Sequence, residues 1–212
     1  MASAPPNHLL TGLAKLGLAL RHEAWQRGGP RGLTPTQSQA LACLARGHAP
    51  RLGELAAELG VSDATASEVV ATLADKGLVQ KKRARADARA LVLELSATGR
   101  REAQRASQWP DAFLAAAEEL SGAEQAVLLR ALTKMIRRLQ LEGRIPVTRM
   151  CAGCRFFRPD VHAGPAPHHC AFVDAAFGDA ELRLECTEFE AADADLARAT
   201  WERFTQRDTS VS

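Results

Sequence analysis

Four cysteines late in the chain have the types and spacing for metal chemistry: Cys151 and Cys154 are separated by two residues, and Cys170 and Cys186 follow at intervals of fifteen. Two thiolates at that first spacing can grip one metal from a single turn, and four soft sulfur ligands suit tetrahedral zinc or an iron–sulfur cluster. Structural zinc sites usually draw on two paired knuckles. Here one pair is joined by two single cysteines, which tilts the reading towards an iron–sulfur cluster, with zinc as the alternative and metal-free thiol or disulfide switching as a third. His162, His168 and His169 lie near enough in sequence to substitute as ligands, but histidines in a Pro-rich stretch read first as surface residues. Cys43 sits between Leu41 and Leu44 and reads as core.

The composition bounds what can position such a site. At 212 residues the chain has room for one medium domain and a smaller appendage. It is 46% hydrophobic and 25% charged, with 5% aromatic residues and no Tyr, so Leu, Ala and Val must fill a largely helical core. The net charge of +2 hides an asymmetry. Lys81, Lys82, Arg83, Arg85, Arg89, Arg100, Arg101 and Arg105 face only Asp87, Glu94 and Glu102, whereas between positions 174 and 195 eight acidic residues face Arg183 alone. A basic middle of that kind implies a polyanionic partner. The N-terminus lacks the basic and apolar regions of a secretory signal, and no apolar run of about 18 residues exists to span a membrane. A cytoplasmic protein with reduced cysteines is expected, with no membrane partner. Enzyme motifs are missing: there is no phosphate loop, dinucleotide fingerprint or Ser-His-Asp arrangement, and adjacent His22 and Glu23 cannot form a metalloprotease pair.

Periodicity predicts a first helix over about 8–26, with Leu9, Leu13, Leu16, Leu20 and Ala24 as its stripe. Thr34-Pro35 starts a second that stops near Gly47. A short third spans about 52–59 and breaks at Gly60, and a fourth, capped by Ser62 or Asp63, closes at Gly77. Then the period changes: 78–82 and 90–95 read as strands of a hairpin joined by the basic segment 83–89. A helix over about 97–120 must bend or divide at Pro110, and another runs from Ser121, whose capping box reaches Glu124, to about Glu142. Gly143 and Pro146 mark a boundary, giving expected domains 1–145, 146–190 and 191–212. The last holds a helix over about 191–205, with Leu196, Ala199, Thr200 and Phe204 on its stripe.

Residues 52–69 meet the requirements of a helix-turn-helix: Ala56 is small where the helices approach, and Gly60 can take the positive φ of the turn. Its second helix would present Ser62, Asp63, Thr65, Ser67 and Glu68 to a major groove, and Lys81, Lys82, Arg83 and Arg85 would line the wing and meet phosphates. The stretch Ser62-x-Ala64-Thr65-Ala66-Ser67-x-Val69-Val70-x-x-Leu73-x-x-Lys76-Gly77-Leu78-Val79, with Asp87-x-Arg89 and Leu93-x-Leu95-Ser96-x-x-Gly99, resembles the MarR family of transcriptional regulators over about residues 8–142. The resemblance implies a mainly α, winged helix-turn-helix fold with a small β-hairpin. It also implies a homodimer interlocked through its first and last helices and bound to a double-stranded DNA operator. Asp87 would pin the wing and Arg89 enter the minor groove, and a small-molecule effector between the dimer and DNA-binding regions is a further partner. Two departures stand out: the usual Asp-Arg-Arg tip is Asp87-Ala88-Arg89, and Glu68 replaces a common basic residue.

Cys151, Cys154, Phe156, Phe157, Cys170, Cys186 and Phe189 together resemble the pattern of high-potential-type iron–sulfur domains, in which aromatic side chains shield a cubane cluster from water. A DNA reader that carries such a segment is expected to sense redox state, oxygen or metal. Because 150–190 has little else to bury, loss of its metal is expected to unfold it. The alternative is a small-ligand-responsive repressor with a purely structural zinc. A cluster-bearing redox enzyme is the reading from a different class, and no substrate site supports it.

Overall fold

The computed structural model describes residues 5–26, 31–47, 51–83 and 91–206. Two compact units form, Met1–Asp111 and Ala112–Ser212.

In the first unit α1 (Pro5–Gln26), α2 (Pro35–Ala45), α3 (Leu52–Leu59) and α4 (Asp63–Asp75) precede β1 (Val79–Arg83), β2 (Leu91–Leu95) and α5 (Ala97–Ala106). Local chemistry sets most of these boundaries. The Thr34 hydroxyl caps α2 by accepting from the Gln37 N–H at 3.2 Å, with Pro35 in the first turn. Gly60 ends α3 at φ 65°, and the Val61 N–H bonds back to the Ala56 carbonyl at 3.0 Å, so the chain turns at once into α4. Ser62 caps that helix through the Thr65 N–H. β1 and β2 pair antiparallel, from Val79 opposite Leu95 to Arg83 opposite Leu91. Beneath the hairpin Ala40, Leu41, Leu55, Val70, Leu73 and Leu78 are wholly buried, and Cys43 lies in the same core. The α1 helix forms as its period dictates; of its stripe Leu13, Leu20 and Ala24 are half-buried, while Leu9 and Leu16, like Leu10 and Leu18 off the stripe, are more than half exposed.

The Ser96-x-x-Gly99 pattern has a steric cause. The Ser96 hydroxyl donates to the Gly77 carbonyl at 2.7 Å and accepts from the Gly99 N–H at 2.9 Å. This draws α5 so close to β1 that a Cβ at position 99 would collide with the Leu78 carbonyl oxygen. Gly99→Ala is therefore expected to cost about 2 kcal/mol or more of stability through overpacking against backbone that cannot yield. Urea denaturation of the variant checks this, and an unchanged midpoint would contradict it.

At the end of the first unit Pro110 divides the expected long helix, so that α6 (Asp111–Glu118) follows α5 as a separate element. Next come α7 (Gly122–Leu141), the short strands β3 (Phe157–Arg158), β4 (His168–Cys170) and β5 (Ala175–Phe177), and α8 (Ala194–Gln206). The strands form one antiparallel sheet in the order β3-β4-β5. The units part at residue 111, and α7 packs with the cysteine segment. The segment also owns a core: Phe157, Phe177, Leu182 and Phe204 are buried together, with Leu129, Trp201 and three of the clustered cysteines packed against them. The expectation that 150–190 has little else to bury is thus corrected, since α7 and α8 supply apolar partners that are distant in sequence. On α8 the buried positions are Thr200 and Phe204, while Ala199 faces out and Trp201 is half-buried. None of the described helices is long and apolar enough to cross a membrane.

Candidate nucleic-acid face and thiolate cavity

The first unit presents α4 to solvent along one side. Ser62, Asp63, Thr65 and Glu68 are exposed, while Ser67 is half-buried. Ala64 and Ala71 share the exposed side, at helical spacing from Glu68. A search for polar groups overlooks these two small residues, although an exposed methyl at a helix surface can meet a thymine methyl. Ser62 and Thr65 are partly engaged with each other, their hydroxyls 3.0 Å apart at the cap. Lys76 is not free for DNA: its ammonium donates to the carbonyls of Arg31 and Gly32, both at 3.0 Å, and to Gln37 Oε1 at 3.2 Å, locking the end of α4 to the approach of α2.

Along β1 the cations alternate in direction, because successive strand residues leave opposite faces of the hairpin. Lys81 and Arg83 share one face and Lys82 takes the other, so the three do not line a single surface. Lys82 Nζ lies 2.6 Å from Glu94 Oε2 on the neighbouring strand. The wing residues Arg85, Asp87 and Arg89 lie outside the described residues.

In the second unit all four late cysteines line one cavity of about 210 Å³. Separate backbone ties bring them there. The Cys151 N–H donates to the Arg183 carbonyl at 2.9 Å, and the Cys186 N–H to the Arg149 carbonyl at 3.0 Å, which joins the two ends of the segment. Cys154 bridges to Ala191, and Cys170 ends β4 opposite Phe157 and Ala175. Phe156, Phe157, Phe172 and Phe177 complete an apolar wall. Phe189, expected among the shielding aromatics, is not part of that wall and packs near Gly153. Burial pushes the Cys151 thiol up to about 11; the Arg183 N–H pulls the other way, while Cys186, Cys154 and Cys170 push it further up. A cation bound there must therefore displace a firmly held proton. The thiols surround the cavity without converging on a point: among the described residues no three His, Cys, Asp or Glu side chains are grouped to hold a single metal ion.

The three histidines separate into two roles. His168 is fully buried among Phe157, Phe177 and Phe204. Its Nδ1 accepts from the Asp160 N–H at 3.2 Å, which leaves Nε2 to donate to Asp179 Oδ1 at 2.9 Å. Asp179 Oδ1 also accepts from Arg130 Nη1 of α7 at 3.0 Å. The same guanidinium donates to the Phe204 carbonyl and stacks 4.1 Å over the Phe204 ring. His162 and His169 lie nearer the surface, their ring nitrogens 3.3 Å apart, with His169 bonded to Asp174.

The family comparison bears on the first unit. Residues 31–90 match the model of the MarR family, and they hold the helix pair and the first strand of the hairpin in the order that this fold requires. This stretch is similar to the MarR family. A MarR protein from Peptoclostridium difficile shares 19% identity with a TM-score of 0.57, over 67% of this chain and 94% of its own. The Streptococcus pneumoniae FabT, solved in complex with DNA, shares 21% identity with a TM-score of 0.54, over 63% of this chain and 94% of its own. At such identities the likeness is one of fold. About a third of this chain lies outside each of these two matches. No curated protein is significantly similar to the chain in sequence.

Proposed function

We propose that this chain is a DNA-binding transcriptional regulator of the MarR type. It acts as a homodimer on a double-stranded operator, and its cysteine cavity holds a 4Fe-4S cluster through which redox state, oxygen or metal supply sets DNA affinity. The observation that carries the sensing half is the gathering of four sequence-distant thiols around one apolar cavity, on a chain that also carries a winged helix. A lone zinc draws its thiolates to about 2.3 Å from a single centre. Sulfurs spread around a cavity of about 210 Å³ suit a polynuclear group better. When bound, such a group supplies electron-transfer and oxygen-sensitive chemistry.

The chain's own residues do the rest. Cys151, Cys154, Cys170 and Cys186 hold the group, and the phenylalanines exclude water. His168, two residues before Cys170, ties the wall to Asp179 and thence to Arg130 on α7. A changed wall therefore shifts α7 without unfolding the segment. The exposed leucines of α1 and, on α7, Val127, Leu128, Leu139 and Leu141 are the surfaces available to a second copy.

Anaerobic purification tests the cluster. A brown dimer with iron and acid-labile sulfide in equal amounts is expected, whereas a colourless protein that holds zinc overturns the cluster. On the DNA side, Lys81→Gln and Arg83→Gln should each lower the log–log salt slope of binding by about 0.9. Lys82→Gln should lower it less, because Glu94 already neutralises that ammonium. Equal slopes for all three variants would sink this assignment of phosphate contacts.

A second reading has its own observation. In the first unit Leu20, Ala24, Leu33, Ala42, Arg105 and Trp109 border a groove of about 530 Å³, a size that suits a small effector. A ligand there would regulate the chain while zinc at the cysteines serves stability alone.

A further inference from the structure

Arg183 is singled out twice, once by sequence and once by structure. It is the lone base in the acidic stretch from 174 to 195, and among the described residues that line the thiol cavity it is the one cation. Its backbone N–H donates to Cys151 Sγ at 3.3 Å, and its guanidinium Nη1 lies 3.9 Å from Cys186 Sγ. A single residue thus touches two of the four sulfurs, from two different elements of the segment. Glu181 and Glu188 also line the cavity. Glu181 is held by the Gly178 N–H at 2.9 Å. The nearby cations are committed elsewhere: Arg155 pairs with Glu190 at 2.9 Å, and Arg149 donates to the Thr187 carbonyl at 2.7 Å.

We infer that Arg183 is the positioning and tuning residue of the thiolate site: its fixed charge offsets the negative charge gathered there and favours the more reduced form of the bound cluster. This rests on the iron–sulfur reading of the cavity. One electron, delivered by a one-electron donor, makes the cavity one charge more negative, with no bond made or broken and no proton transferred. A cation beside the Cys186 sulfur stabilises that added charge, and the backbone hydrogen bond to the Cys151 sulfur acts in the same direction. The backbone N–H survives any side-chain substitution, so the guanidinium can be tested alone.

The test uses the full chain, loaded anaerobically with ferrous iron and sulfide and titrated optically with redox dyes. Arg183→Gln should load with iron, yet at the potential where the native protein is half reduced its reduced-to-oxidised ratio should fall about threefold or more. Arg183→Lys, which keeps the charge, should restore most of that ratio. If Arg183→Gln loads normally and its midpoint does not move, the inference is overturned while the cluster reading stands. If Arg183→Gln does not load, loading of Arg183→Lys upholds the role of the charge, and failure of both variants with native circular dichroism refutes it. If the native chain itself takes up no iron, the cluster reading falls first and this inference with it.

Discussion

Cys170→Ala should strip the chain of visible absorbance and bound iron, and should change its affinity for operator DNA by about tenfold, within the usual range of coupling between sites. Both effects follow from where Cys170 sits. It ends β4, lines the cavity with the other three thiols, and stands two residues from His168, whose ring is bonded to Asp179. With one of the four proposed ligands removed, a cluster would lose its closed coordination. Because the segment has its own core of Phe157, Phe177, Leu182 and Phe204, the variant should remain folded, with near-native circular dichroism. Iron analysis and gel retardation of the same preparation read both effects together. DNA binding that ignores the substitution, with the protein loaded or stripped, would leave the thiol site structural only.

Arg130→Ala should destabilise the second unit by about 3 kcal/mol, the usual order when one partner of a buried ion pair is removed. Arg130 is 7% exposed and lies on the inner side of α7. It satisfies Asp179 and the Phe204 carbonyl and covers the Phe204 ring. Its loss takes the guanidinium partner from the Asp179 carboxylate and opens a gap under α8. Thermal denaturation checks the size, and a double-mutant cycle with Asp179→Ala isolates the pair. A loss under about 0.5 kcal/mol, the range of exposed pairs, would show that the network does not brace the unit. The same variant should uncouple iron loading from DNA affinity, since the path from the cavity wall to α7 runs through this guanidinium.

These two residues mark how far the sequence could be read. The first unit was legible because its boundaries are local. Thr34-Pro35, Gly60, Ser62 and Gly77 act close to themselves in sequence, so the helix pair follows from short-range caps and turns. Even Pro110 showed where the long helix divides. The facing of the cations did not come through, because the pairing of Lys82 with Glu94 depends on strand register across twelve positions.

In the second unit only the cysteines could be seen. Strands of two or three residues carry no periodicity, and β4 consists of two histidines and a cysteine. His168 read as a surface residue of a Pro-rich stretch and lies instead at the centre of an aromatic core. Arg130 was not singled out among the charges of α7. One signal was present: Ala126, Leu129, Thr133, Ile136 and Gln140 recur at helical spacing on the inner side of α7, and Arg130 falls in that row. A charge in an inward row asks for a buried partner, but Asp179 lies forty-nine positions away and no pattern names it.

The account rests first on the winged helix meeting duplex DNA, and gel retardation of genomic fragments by the full chain at low ionic strength tests this most directly. Binding that selects particular fragments, and that Lys81→Gln and Arg83→Gln weaken, is the expected result. Failure to retard any fragment, with iron bound and after its removal, would contradict the account.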